Sequence, residues 1–208
     1  KGRWQELQRQ ATTAQLYDVD VRILNKDQIK KDYPIVNTDE VIGGILMPGD
    51  GAADPSGVTH MLAKAARMEG AQIFEKSPVE EIITKNGKIS GVKAKGQTID
   101  CEYIVLASGM WSRQIGEKVG VSIPLYPAEH FYIITQPIDN LSKTLPVIRD
   151  FDNRTYIKED AGKILVGIFE GNSIPAWDKT NKVPEDFSFG EFQENFEHFE
   201  PYLASAIK

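Results

Sequence analysis

Residues Asp54–Glu75 read DPSGVTHMLAKAARMEGAQIFE, and they decide what kind of fold the rest of the chain can join. Asp54 is a favourable N-cap, and Pro55 fits the first helical turn, where an N–H would have no intrahelical partner. Gly70 fits the position just past a helix end. The spacing predicts a helix over Pro55–Glu69, with Val58, Leu62, Ala65 and Ala66 on one apolar face small enough to pack closely on a sheet. Gln72–Glu75 follows as a predicted strand.

Working outward, VEEIITKNGKISGVKAK places Asn86-Gly87 between two β-rich runs, the pattern of a type I′ hairpin. Gln97–Cys101 reads as a further strand and Tyr103–Ala107 as a buried one. In CEYIVLASGMWS, Cys101–Ser112, that run meets Ser108 and Gly109 without a polar turn cluster, and a helix-like WSRQIGEKVG follows at once. Small residues at such a junction let something approach the backbone closely. Before Asp54, Val21–Leu24 is a predicted strand and Lys26–Tyr33 a short helix ended by Pro34. After Val119 a second β-rich region covers His130–Gln136, Leu145–Arg149, Thr155–Glu159 and Ile164–Glu170, and Gly190–Ser205 closes as an amphipathic helix. No internal repeat or low-complexity linker interrupts this order.

Composition narrows the function. The chain has 208 residues, 41% of them hydrophobic, enough for one large domain or two lobes around a core. A net charge of −6 argues against a broad phosphate-binding surface, so nucleic acid is not an expected partner. No run approaches the ~20 apolar residues of a membrane span, so a membrane is not expected either. The one cysteine, Cys101, excludes an internal disulfide and a thiolate zinc site, and it fits a reducing compartment such as the cytoplasm. The opening KGRWQELQRQATTAQL begins inside a helical pattern, with Trp4, Leu7, Ala11 and Leu16 able to share a face. Phe192, Phe196 and Phe199 recur at helical spacing near the other end, and together these suggest a piece of a longer protein.

Several motifs invite chemistry. PGDGAADPSG is not a P-loop, because no Gly-Lys-Ser/Thr follows, and not G-x-G-x-x-G, because Asp54 takes the last glycine position. It is not a calcium loop either, since Met61 stands where a bidentate Glu belongs. A glycine turn feeding a capped helix and a loop lining a pocket both remain open. His60 and His198 lie in helices without a visible partner and read as structural. His130 opens the strand HFYIITQ, where a strand-end side chain can face a cleft, and imidazole exchanges protons near neutrality. Tyr156, in RDFDNRTYIKED, reads equally as a strand former and as a site residue. Arg149, Arg154 and Lys158 offer a carboxylate a charged partner or are simply solvated.

Taken together, GGILMPGDGAADPSGVTHMLAKAARMEGAQIFEKSPVEEI, IVLASGMWS, YPAEHFYIITQPI, LPVIRDFDNRTYIKE and ILVGIFEG resemble the middle of the FAD-dependent amine oxidoreductases that include dimethylglycine and sarcosine dehydrogenases. The resemblance runs from about Trp4 to Trp177. It implies an α+β fold: a mixed-sheet substrate-binding lobe joined to a partial, βαβ-like FAD-binding lobe. The lobes would divide as 1–71 and 120–208 on the substrate side and 72–119 on the flavin side. The resemblance also implies FAD as cofactor, with Val79, Ala107, Ser108, Gly109 and Trp111 along it. The family more often has Ala-Ala-Gly or Ala-Cys-Gly where Ala107-Ser108-Gly109 stands, a departure that keeps the residues small. His130 and Tyr156 match residues flanking the substrate, an N-methylated amino acid oxidised by hydride transfer. An electron-acceptor protein and folate are further partners so implied, as is a mitochondrial matrix location in a eukaryote. The family's G-x-G-x-x-G unit is not found in these residues, so they are expected to be inactive alone. The same resemblance extends to a non-catalytic regulatory protein of the pyruvate dehydrogenase phosphatase regulatory-subunit kind.

Overall fold

The computed structural model describes residues 2–177 and 182–207. In chain order its elements are α1 (Gly2–Gln15), β1 (Arg22–Leu24), α2 (Lys26–Asp32), β2 (Gly44–Leu46), α3 (Pro55–Met68), β3 (Val79–Lys85), β4 (Lys88–Ala94) and β5 (Gln97–Asp100). A 3₁₀ turn over Gly109–Trp111 follows, then α4 (Ser112–Glu117), β6 (Tyr132–Ile134), β7 (Ile148–Asp150), β8 (Thr155–Asp160), β9 (Lys163–Ile168) and α5 (Phe196–Ala206). The chain divides into two compact units. The first comprises Lys1–Asp54, His130–Gly171 and Glu194–Lys208, and the second Pro55–Glu129 and Asn172–Gln193.

The first unit is built on the antiparallel sheet β6-β9-β8-β7. Register and the two-residue period sort its side chains into two faces. Ile148, Ile157, Val166 and Ile133 stand opposite one another on one face. Thr155 and the fully buried Ile168 continue that face as the next pair. α5 packs against β9, with Phe199 buried and the His198 ring 5.1 Å from that of Phe131. Each such buried apolar side chain contributes roughly 1.5–3 kcal/mol, which holds the sheet's back in place. Ahead of the sheet, the hairpin-like pair β1-β2 is flanked by α1, and α2 starts at a full capping box between Asn25 and Gln28. Leu16 lies beyond the end of α1 and is exposed, so the apolar face predicted for that helix ends at Ala11.

The second unit contains the meander β3-β4-β5. Asn86 (φ 50°) and Gly87 (φ 75°) form its first turn in the left-handed conformation that a type I′ turn requires. α3 spans the predicted residues to within one position. It ends in a Schellman motif, with Gly70 N–H on the Arg67 carbonyl and Ala71 N–H on the Ala66 carbonyl.

The α+β class holds, with differences of detail. Every ladder among the described residues is antiparallel, so these residues form antiparallel sheets rather than a mixed sheet, and no βαβ-like unit is formed among them. Gln72–Glu75 and Tyr103–Ala107 are not strands, and Tyr103 and Val105 are 86% and 89% exposed rather than buried. Their composition suits a strand flanked on both edges, and no described residue supplies either edge. For the same reason α3 has no buried residue, and Leu62 on its apolar face is 63% exposed. The closing helix starts at Phe196, because the Asn195 side chain accepts the His198 N–H and caps it there. Phe192 instead joins the rings of Trp177 and Phe187 in the second unit.

A Cβ on Gly91 of β4 would come within 2.6 Å of the Ile99 carbonyl oxygen and 3.3 Å of the Asp100 Cα, both backbone of β5. Gly91→Ala is expected to lower stability by about 1–3 kcal/mol in chemical denaturation. At Gly51 a Cβ meets nothing within 4 Å, and Gly51→Ala should stay within about 0.5 kcal/mol of the parent.

Candidate active site

The open face of the β6-β9-β8-β7 sheet carries a row set by register: Tyr132 opposite Gly167, Gly167 opposite Tyr156, and Tyr156 opposite Arg149. The two-residue period puts His130 and Phe169 on the same face, just beyond the strand ends. Gly167 is what lets the row close. A Cβ there would lie 2.1 Å from Tyr156 Cζ and 2.3 Å from its Oη, so the phenol ring occupies the space over the glycine and reaches across β9. Tyr156 Oη thereby comes 3.2 Å from His130 Nε2, with the two ring planes 4° apart.

Glu170 backs the histidine. Its side chain is 3% exposed, its Oε1 accepts the Phe131 N–H at 3.2 Å, and its Oε2 lies 3.6 Å from His130 Nδ1. Phe169 fills the centre, with its ring centroid 5.3 Å from that of Tyr156 and 6.0 Å from that of His130. The Arg149 guanidinium lies over Phe169 at 4.3 Å and over Phe151 at 4.8 Å. Arg3, Arg9, Arg22, Arg67 and Arg113 each pair with a carboxylate, whereas Arg149 does not among the described residues. A guanidinium lying over ring faces can still offer its N–H groups to an incoming anion.

Burial raises the Tyr156 phenol above its usual 10.0, and Tyr132 and Glu170 add to the effect by opposing a second negative charge. The phenol is therefore neutral around pH 7 and donates its hydrogen. The geometry thus sets the His130 ring between the Tyr156 hydroxyl at 3.2 Å and the Glu170 carboxylate at 3.6 Å. Such an arrangement can hold an amine and accept a proton from it.

Sequence reading singled out His130 and Tyr156, and the structure brings them together. It did not single out Glu170 or Gly167 as site residues. The signal for Gly167 was a lone glycine inside the strand run ILVGIF, which marks close approach of another group to the backbone. Lys158 stands on the same face one pair further along, opposite Leu165, where it pairs with Asp160 at 3.9 Å, and Arg154 lies in the turn before β8 with φ 57°. His198 is a packing residue against Phe131, and His60 bonds through Nδ1 to the Ser56 carbonyl within α3.

The residues expected along a flavin lie in the second unit. Val79 opens β3 and is 47% exposed. Ala107 is exposed, and Ser108 bonds through its hydroxyl to that of Ser112 at 3.1 Å. Gly109 has φ 54° and begins the 3₁₀ turn that contains Trp111; a Cβ on it would meet nothing within 4 Å. A bare, open backbone at Gly109 fits close approach of a flat cofactor.

The protein-family model of the FAD-dependent oxidoreductases matches residues 1–207. The chain belongs to the FAD-dependent oxidoreductase family. It is 35% identical over 205 residues to a 4-methylaminobutanoate oxidase (formaldehyde-forming) of Paenarthrobacter nicotinovorans, covering 99% of this chain and 24% of that one. It is 30% identical to human mitochondrial sarcosine dehydrogenase (100% of this chain, 22% of the other) and 32% identical to the mouse mitochondrial pyruvate dehydrogenase phosphatase regulatory subunit (89% and 21%). Among solved structures, L-proline dehydrogenase from P. horikoshii superposes with a TM-score of 0.73 at 26% identity, over 91% of this chain and 48% of that one. Glycine oxidase from Bacillus cereus, at 22% identity and a TM-score of 0.69 over 99% and 52%, shares the fold. The chain thus spans about a quarter of the curated relatives' length and half of these structures.

Gly167→Ala should leave the fold intact, because the atoms it displaces are the free end of one side chain. It should swing Tyr156 off His130. Ultraviolet difference titration, with Tyr156→Phe as the blank, is expected to place the wild-type phenol above 10.0 and the variant's nearer to it. Because the folded-state value is the raised one, the stability linked to this proton is complete below pH 10.0 and is lost as pH rises through the folded value.

Proposed function

We propose that the whole protein oxidises an N-methylated amino acid of the sarcosine or dimethylglycine type, with FAD as the hydride acceptor. The observation that carries this reading is the His130–Tyr156 pair at 3.2 Å on the open sheet face. The names of three relatives add to it: sarcosine dehydrogenase, dimethylglycine dehydrogenase and 4-methylaminobutanoate oxidase share an N-methyl amine that carries a carboxylate.

Val79, Ala107, Ser108, Gly109 and Trp111 would hold the flavin, which when bound takes a hydride from the carbon beside the amine nitrogen. The chain's own residues prepare that nitrogen. His130 Nε2 takes a proton from the substrate ammonium, and the freed lone pair becomes the second C–N bond as the hydride leaves. Water then hydrolyses the resulting imine. Tyr156 Oη accepts a second ammonium hydrogen where there is one, and Arg149 takes the carboxylate through its unpaired fork. On this reading segments 1–71 and 120–208 serve the substrate and 72–119 the flavin. Residues 1–208 alone would neither hold flavin nor turn over. An electron-acceptor protein, folate and a cytoplasmic or mitochondrial matrix location belong to the same proposal.

A second reading is a regulatory protein of this fold, favoured by the 32% identity to the phosphatase regulatory subunit. Anaerobic stopped-flow reduction of the full-length, FAD-loaded protein by sarcosine and by dimethylglycine separates the two. In the catalytic reading His130→Ala slows flavin reduction by ~10²- to 10⁴-fold. Tyr156→Phe costs less, and costs sarcosine more than dimethylglycine, whose ammonium has a single hydrogen to offer. Arg149→Gln should raise KM by ~10- to 10²-fold with little change in the limiting rate, since it binds the carboxylate alike before and during reaction. If no N-methyl amino acid reduces the wild-type flavin, the regulatory reading replaces the catalytic one.

A further inference from the structure

We infer that Glu170 is a positioning residue that fixes the tautomer and the ring plane of His130. It acts through the histidine in the reaction proposed above. Three contacts support this. The carboxylate is pinned, because its side chain is 3% exposed and Oε1 accepts the N–H of Phe131, the residue next to His130. Its other oxygen faces His130 Nδ1 at 3.6 Å, while the opposite ring nitrogen faces Tyr156 Oη at 3.2 Å. The ring is thus held at both ends, with Phe169 at 6.0 Å against its side.

A neutral imidazole carries one N–H. With that hydrogen on Nδ1, the N–H side of the ring faces a carboxylate oxygen at the ion-pair distance of 3.6 Å, and Nε2 presents its lone pair to the Tyr156 hydroxyl at 3.2 Å. The reverse tautomer would set the Nδ1 lone pair against the carboxylate, two acceptors facing each other without a hydrogen. Glu170 therefore selects the form whose Nε2 can receive a proton, as an orienting carboxylate does for other catalytic histidines. When the substrate N–H bond breaks and the Nε2–H bond forms, the positive charge moves to the ring. The Glu170 carboxylate lies beside that charge. The same face also carries Tyr132 of β6, Arg149 of β7, Tyr156, Lys158 and Asp160 of β8 and Lys163 of β9; Lys158 pairs with Asp160, Arg149 lies over Phe151 and Phe169, and the group facing Nδ1 is Glu170.

The test reads the ring directly. Nitrogen NMR of the ¹⁵N-histidine-labelled full-length protein near neutral pH, assigned with His130→Ala, should show the neutral His130 ring with Nδ1 protonated and Nε2 bare. In Glu170→Gln the amide offers Nδ1 a donor, and the Nε2–H form should grow. Neither measurement needs flavin or substrate, so failure of the proposed reaction leaves the tautomer result standing. In the reacting protein Glu170→Gln should slow flavin reduction by up to ~10²-fold with KM nearly unchanged, and Glu170→Asp should recover part of the loss. A wild-type ring protonated on Nε2 overturns the inference, which also covers the case in which Glu170→Gln does not fold. Tautomer populations unchanged by Glu170→Gln overturn it too. So does an unchanged reduction rate in that variant when His130→Ala is slow.

Discussion

Gly167 has no Cβ, and the Tyr156 ring takes the space one would fill, within 2.3 Å of where that atom would stand. The rest of the candidate site follows from this substitution of ring for side chain. A tyrosine on β8 standing upright would present its hydroxyl to solvent above its own strand. Laid across β9, the same hydroxyl reaches His130, which leads into β6 on the far side of the sheet. The strand spacing of about 4.8 Å makes one intervening strand a suitable span for a phenol ring. The vacancy that admits the ring belongs to that intervening strand.

The opposite face of the sheet makes this arrangement rigid. Ile148, Ile157, Val166 and Ile133 form a continuous apolar row there, and Ile168 and Thr155 are buried beside it. Slipping any ladder by one residue would carry that row into solvent and the Tyr132–Gly167–Tyr156–Arg149 row into the core. Burying an arginine without a partner costs far more than the slip could return. Packing on one face therefore fixes the register, and the register fixes the chemistry on the other. Glu170 shows the same economy, since one buried carboxylate holds the backbone of Phe131 and faces the ring of His130.

How much of this was legible in the sequence depends on whether the cause was local. The Asn86-Gly87 turn, the Gly70 helix end and the strands of the second β region are set by residues near one another in the chain, and they appear there, though the strand expected at Leu145–Arg149 starts only at Ile148 and that at His130–Gln136 shortens to Tyr132–Ile134. His130 and Tyr156 were visible as residue types at strand positions, and the family resemblance paired them. Glu170 was not, because an acid at the end of an apolar strand is ordinary until the fold turns it toward a particular histidine. Gln72–Glu75 and Tyr103–Ala107 show the opposite error. Their apolar composition describes a strand with neighbours on both sides, and composition records the need for neighbours without saying which residues meet it.

The relatives sharpen what the site has to explain. An oxidase at 35% identity and a regulatory subunit at 32% resemble this chain almost equally, so overall likeness does not choose between chemistry and regulation. A fold hosts a function only through the groups placed on it. Here the sheet's hydrophobic back asks nothing of the open face except that it be soluble, and lysine or glutamate at those positions would meet that demand. Lys158, Asp160 and Lys163 do so at one end of the face, while the other end carries two tyrosines, a phenylalanine, a histidine backed by a buried acid, and an arginine with no carboxylate partner among the described residues. Exposed aromatic rings keep apolar surface in water that a ligand could cover, and a guanidinium without a carboxylate partner is free to pair with one. In the proposed reaction the substrate's cationic end would meet the histidine and tyrosine and its anionic end the arginine.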